Sequence, residues 1–386
     1  MISENTKSIQ NSKIRDMFHL ALQYENPVNL TIGEPDFSAS DDVAKAACKA
    51  IIEGKTKYSE NAGILLLREK ISRYLEKELN LNYDSEKEIT VTPGAMGGLF
   101  QTLKTILNPG DEVIVNEPCW TNYIQQITMC GGAPISVGTK AENGFSIDVR
   151  AISEAINKKT KAIILNSPCN PTGNIISRRD LKELAAIVRE KNILVISDEV
   201  YKHICFDESK FNSMATIPGM KERTVVIDSF SKSYAMTGFR IGYVAGPEEV
   251  ISNITKLQEN ISACVSMPSQ YAAVAALDND GRHLNRMVQA YKLRRDYIMK
   301  KTEEIPFISC SLPKGTFYAF IDIHNTGMSS EEFAIELLKD KQIVVVPGTA
   351  FGEKGEGYIR LSFATSMKNI ELGMEGMKAF VIENFA

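Results

Sequence analysis

The chain has 386 residues, of which 44% are hydrophobic and 24% charged, and its net charge is −4. That length exceeds what one small core organises, and it points to a large unit with a smaller one attached. The balance excludes the basic footprint of a nucleic-acid binder, and no apolar run reaches the roughly 18 residues that a membrane span needs.

In chain order, residues 1–13 are polar and lack the apolar core of a signal peptide, so a cytoplasmic protein is expected. The first 45 residues show no alternating pattern and are expected to pack with the C-terminal unit. Residues 88–92 (EITVT) form a short β-rich run that ends in Pro93-Gly94, and Leu99, Leu103, Ile106 and Leu107 then recur at helical spacing. Asn108-Pro109-Gly110-Asp111 is a turn, and 112–116 (EVIVN) is a second strand. Residues 161–166 (KAIILN) are apolar without a break, as in a strand covered on both faces. Leu181, Leu184, Ala185 and Val188 mark an amphipathic helix over 180–192, before further strands at 193–197 (ILVIS) and 224–228 (TVVID). Strand, crossover helix and strand in succession predict an α/β fold with a mostly parallel sheet. Beyond residue 285 the pattern changes to a charged helix at 291–304, strands at 317–323 and 357–363, and a helix between them at 328–340. The expected division is therefore an N-terminal segment (1–45), a large domain (46–284) and a small C-terminal domain (285–386).

Seven cysteines are scattered and never spaced Cys-x-x-Cys, and the four histidines show no ligand spacing. No metal site is expected, and free thiols suit a reducing compartment.

Ligands of open α/β sheets bind beyond the carboxyl ends of the strands, so the residues there carry the functional signal. They are Gly94-Ala95-Met96, whose backbone N–H groups open a helix; Trp120, the only tryptophan; Asn170-Pro171-Thr172-Gly173; Asp198 and Tyr201; and Ser229, Ser231 and Lys232, with Arg240 eight residues on. Taken singly, each is an ordinary turn, cap or core residue. Taken together, an amine able to form a Schiff base, a carboxylate, a phenol and groups suited to a phosphate are what pyridoxal 5′-phosphate requires.

With these residues in place the chain resembles the class I/II aminotransferases of fold type I, the aspartate aminotransferase superfamily. The resemblance runs from Leu30-Thr31-Ile32-Gly33-Glu34-Pro35-Asp36-Phe37 to Tyr358-Ile359-Arg360-Leu361-Ser362-Phe363. Between them stand Asn166-Ser167-Pro168-Cys169-Asn170-Pro171-Thr172-Gly173, Ser197-Asp198-Glu199-Val200-Tyr201 and Ser229-Phe230-Ser231-Lys232-Ser233-Tyr234. It implies a large domain with a mostly parallel seven-stranded sheet between helices, plus a smaller α+β domain.

By the same resemblance Lys232 carries the cofactor as a Schiff base and shuttles the substrate proton. Asp198 pairs with the ring nitrogen, Asn170 and Tyr201 bond the ring oxygen, and Trp120 stacks on the ring. Ser229, Arg240 and the amides of Gly94, Ala95 and Met96 hold the phosphate, joined by Tyr58 from a neighbouring subunit, which implies a homodimer with shared sites. Arg360 grips the substrate α-carboxylate, Gly33 lies in the loop over it, and Tyr318 falls near the site. Ser12-Lys13-Ile14-Arg15 matches a mobile segment that covers the substrate.

The reaction implied is transfer of an amino group from an L-amino acid to a 2-oxo acid, with 2-oxoglutarate as acceptor, by a ping-pong route. The alternative is a pyridoxal-phosphate-dependent C–S lyase or synthase on the same fold. Such lyases carry His where this chain has Cys169. A ligand-binding regulator would need a DNA-binding domain for which the N-terminal segment is too short. Some aspartate-preferring relatives place Lys at the position of Met96, so aspartate, aromatic and broad donor ranges all stay open.

Overall fold

The structure is a computed structural model that describes residues 2, 7, 9 and 12–385. Part of the polar stretch read for targeting, and of the expected N-terminal segment, lies outside these residues.

A seven-stranded sheet organises the larger part of the chain. Its strands are β1 (Ile89–Thr92), β2 (Glu112–Glu117), β3 (Ala133–Gly138), β4 (Thr160–Asn166), β5 (Leu194–Asp198), β6 (Thr224–Ser229) and β7 (Gly242–Ala245). Their order across the sheet is β1-β7-β6-β5-β4-β2-β3. β7 runs antiparallel to both neighbours and the remaining pairs are parallel. The sheet is thus mixed and mostly parallel.

Alternate residues of each strand enter different cores, because successive side chains point to opposite faces. Ala162 and Ile164 of β4 pack in one cluster with Leu99 and Leu103 of α1 (Gly94–Ile106). Ile163 and Leu165 pack in another with Leu181, Leu184, Ala185 and Val188 of α2 (Arg178–Lys191). Burial of each such Leu, Ile or Val side chain contributes about 1.5–3 kcal/mol. That two-sided covering is why the strand reads as an unbroken apolar run. α2 starts where Ser177 accepts a hydrogen bond from the Asp180 N–H and stops at Asn192 in the left-handed conformation.

Two strands left no clear sequence signal. β3 is an edge strand that contains Pro134, tolerated there because an edge position leaves an N–H unneeded. β7 has four residues, too few to show a period.

The smaller sheet is antiparallel and consists of β8 (Ser309–Cys310), β9 (Tyr318–Asp322), β10 (Val346–Pro347) and β11 (Tyr358–Ser362), in the order β10-β11-β9-β8. Helices α3 (Arg282–Glu303), α4 (Ser330–Lys341) and α5 (Met367–Phe385) accompany it. Met17, Ala21 and Leu30 share a core with Met287, Phe333, Leu337 and Met374 of these helices. Val28–Asn29 also pairs in parallel with Ile343–Val344. The Leu30 carbonyl accepts the Ser362 N–H at 2.7 Å, which sets the loop carrying Gly33 against β11.

Candidate active site

At the carboxyl ends of the strands lies a cavity of about 320 Å³. It is lined by Gly33, Ala95, Met96, Trp120, Asn170, Asp198, Tyr201, Ser229, Lys232, Arg240, Tyr318 and Arg360. These residues come from separate elements, and the parallel register brings their ends to one edge.

Lys232 is held on a single helical turn, Phe230–Ser233, capped by the Ser229 side chain. Its Nζ donates to the Gly33 carbonyl at 2.6 Å and lies 5.8 Å from the centre of the Tyr201 ring. Burial lowers its pKa to about 8, with Arg240 and Arg360 in the same direction and Glu34 and Asp198 opposing. Asp198 closes β5. Burial raises its carboxyl to about 6, against the Tyr123 hydroxyl and the Val200 N–H that stabilise the charge. Oδ2 accepts from Tyr123 at 2.6 Å and Oδ1 from Val200 at 3.3 Å.

The Tyr201 hydroxyl lies 3.0 Å from that of Tyr318, and burial holds its phenol well above the usual range. Asn170 donates its backbone N–H to Asn166 Oδ1 at 2.9 Å and accepts at its own Oδ1 from Arg360 Nη1 at 3.2 Å. Arg360 lies on the polar-alternating side of β11, yet that side faces the cavity, and the residue is 1% exposed. Its Nη2 donates to the Thr31 carbonyl at 2.7 Å, its guanidinium sits 4.3 Å over the Tyr318 ring, and burial lowers its pKa. Its Nε is buried with no partner among the described residues. A buried guanidinium with an unused donor suits an incoming carboxylate.

At the start of α1, Gly94 has φ +72°, and a Cβ there would stand 2.8 Å from Arg240 Nη2. Glycine therefore lets the arginine close onto the helix N-terminus. Arg240, at φ 51°, is fixed by a bond from Nη1 to the Thr237 carbonyl at 2.7 Å. Ser229 opens the turn beside them.

Gly94 backs Arg240 without lining the cavity itself, and Tyr58 lies outside the cavity altogether. It is 87% exposed and borders a separate depression with Cys264, Val265 and Met267. Of the N-terminal stretch, Ile14 lines the cavity, while Lys13 pairs with Glu331 and reaches Thr349. Tyr123, Asn166, Glu34 and Thr237 also line the cavity, although the sequence reading assigns them no role. Tyr123 follows Trp120 by three residues, and that spacing is the one available signal. A larger cleft of about 430 Å³, beside helix Leu65–Leu79 and residues 277–284, holds none of the expected residues. Among the described residues no cluster of three or more His, Cys, Asp or Glu could hold a metal ion.

The family model for aminotransferase class I and II matches residues 25–376. The chain belongs to the class I and II aminotransferases. The Bacillus subtilis (strain 168) protein YugH is 41% identical over 380 residues, covering 98% of each chain. The aspartate aminotransferase of Pyrococcus abyssi is 38% identical, over 99% of this chain and 98% of the relative. The crystal structure of an aromatic aminotransferase from Pyrococcus horikoshii superposes with a TM-score of 0.91 at 37% identity, over 96% of this chain and 99% of that one.

Such enzymes are pyridoxal-phosphate-dependent transaminases acting on an amino acid and a 2-oxo acid. The residues present fit that cofactor: an amine of lowered pKa, a buried carboxylate in the same cavity, and a glycine that admits a guanidinium to a helix N-terminus. No helix among the described residues is long and apolar enough to cross a membrane.

Proposed function

We propose that this aminotransferase binds its cofactor through a Schiff base at Lys232 and moves the amino group of an L-amino acid to 2-oxoglutarate in two half-reactions of a ping-pong cycle. The observation that carries the reading is the Lys232 amine, lowered to about 8 in the strand-end cavity that also holds Asp198 and Arg360. Pyridoxal phosphate, when bound, supplies the aldehyde that takes up the amine and the ring that accepts electrons from the substrate Cα.

The protein's own groups do the rest. Arg360, with Nε free, binds the substrate α-carboxylate and fixes the Cα–H bond relative to Lys232. Lys232 Nζ, its charge disfavoured by burial, takes the Cα proton and later returns one as general base and acid. Asp198, buried in the same cavity, would hold a proton on the ring nitrogen. Asn170 and Tyr201 would serve the ring oxygen, and Trp120 would cover the ring. Ser229, Arg240 and the N–H groups of Gly94, Ala95 and Met96 serve the phosphate.

The two relatives with named activities act on aspartate and on aromatic amino acids, and both donors lie within the proposed range. The lyase or synthase alternative is not favoured. The exposed Tyr58, with Ile51 and Ile52 a few positions before it in the chain at 55% and 84% exposed, supports a homodimer in which Tyr58 reaches the phosphate of the other copy. We place the enzyme in the cytoplasm and its domain limits at residues 46 and 285.

The test is chemical. Borohydride treatment of the yellow protein should fix the cofactor on the peptide containing Lys232. Lys232→Ala should bind pyridoxal phosphate reversibly and lose transamination by about 10⁴-fold or more. Label on another lysine, or turnover near wild type in the variant, would overturn the assignment. Release of pyruvate and ammonia from cysteine, with no amino transfer, would instead indicate a lyase.

A further inference from the structure

We propose that Tyr123 is a positioning residue that keeps Asp198 ionised and Trp120 in place beneath the cofactor ring. The inference rests on the reading in which Asp198 faces the ring nitrogen. Tyr123 lies near the start of helix Asn122–Met129 and is 2% exposed. Its hydroxyl is committed to one acceptor, Asp198 Oδ2, at 2.6 Å. With the Val200 N–H on Oδ1, both carboxylate oxygens then have a donor. The same ring meets Trp120 edge to face, with centroids 5.4 Å apart and planes at 90°. One side chain therefore touches both the acid and the aromatic cover. A tyrosine needed only for packing would not require its hydroxyl on a buried carboxylate, since phenylalanine fills the same space.

The electrostatic surroundings give that bond its weight. Burial drives Asp198 toward the neutral acid, and Asp228 pushes the same way. Lys232, the Val200 N–H and Tyr123 oppose this, and Tyr123 is the nearest side-chain donor. Tyr201 and the thiols of Cys119 and Cys169 are also close, and burial keeps all three protonated and uncharged. Tyr123 itself is held well above the usual phenol range by burial and by Asp198, so it stays a donor. Removal of its hydroxyl should raise the pH at which Asp198 takes up a proton.

The experiment measures the dissociation constant for pyridoxal phosphate by absorbance titration of the full chain, from about pH 5.5 to about pH 8.5. It compares wild type, Tyr123→Phe and Asp198→Asn. Tyr123→Phe should match wild type at the alkaline end and bind on the order of tenfold more weakly at the acid end. Asp198→Asn should bind weakly across the range. A Tyr123→Phe curve parallel to wild type, unchanged or uniformly lowered, overturns the proposal while a weak Asp198→Asn leaves the acid's role standing. An Asp198→Asn protein that binds like wild type removes both.

Discussion

The lowered pKa of Lys232 sets when this enzyme can take up its cofactor. An amine attacks an aldehyde only when unprotonated, and a lysine is unprotonated above its pKa. The rate at which the cofactor-free chain gains yellow absorbance on mixing with pyridoxal phosphate should therefore rise with pH and level off above about 8, well below the 10.5 of an ordinary lysine. A rate still climbing through pH 10 would contradict the observed environment. Donor preference is also a matter of single side chains. Among the described residues, the cations lining the cavity are Lys232, Arg240 and Arg360, and the proposed mechanism uses all of them. Met96, 39% exposed at the rim, stands where a further cation could meet a distal carboxylate. Met96→Lys should raise kcat/KM for aspartate relative to phenylalanine by about tenfold.

At the scale of elements, the contact between α1 and the sheet decides where the phosphate cradle sits. A Cβ on Gly242 of β7 would lie 2.6 Å from the Asp228 carbonyl and 2.9 Å from the Ala95 nitrogen. Gly242→Ala should push the start of α1 off the sheet, cost about 1–3 kcal/mol in denaturant unfolding and weaken cofactor retention. Just behind the catalytic strand ends, Lys202 pairs with Asp228 at 2.7 Å with both side chains almost fully buried, and the Tyr243 hydroxyl adds a bond to Asp228 at 2.9 Å. Lys202→Met leaves that carboxylate buried without its cation and should destabilise the fold by about 3–5 kcal/mol. A loss under about 1 kcal/mol would mean that Tyr243 suffices.

For the whole molecule, the position of Tyr58 is the informative one. An exposed tyrosine outside its own cavity serves a site only if another copy brings it there. The proposed dimer should sediment at twice 42.8 kDa. Lys232→Ala and Tyr58→Ala proteins, mixed after mild dissociation, should recover about a quarter of wild-type activity, because half the dimers are mixed and each carries one intact site. Two inactive proteins that stay inactive after exchange would show that Tyr58 acts within its own chain, and a fully active Tyr58→Ala protein would show that it does not act at all.

Much of this site is legible in the chain because strand ends announce themselves. An unbroken apolar run such as 161–166 must be covered on both faces, and the residues just past its carboxyl end must lie at the sheet edge where ligands bind. Asn170, Asp198 and Lys232 are found in that way. Arg360 and Gly33 come from resemblance, and the fold explains them through contacts that no local pattern encodes. Arg360 bonds the Thr31 carbonyl 329 residues away, and Lys232 bonds the Gly33 carbonyl at a separation of 199. Tyr123 carries no sequence signal beyond its spacing from Trp120 for the same reason, since its partner Asp198 lies 75 residues on. Residue type and periodicity determined which chemistry the chain carries, because they act over a few neighbouring positions. Only the tertiary structure decided which groups share a proton or a ligand, because desolvation and hydrogen bonding depend on distances set when remote segments pack.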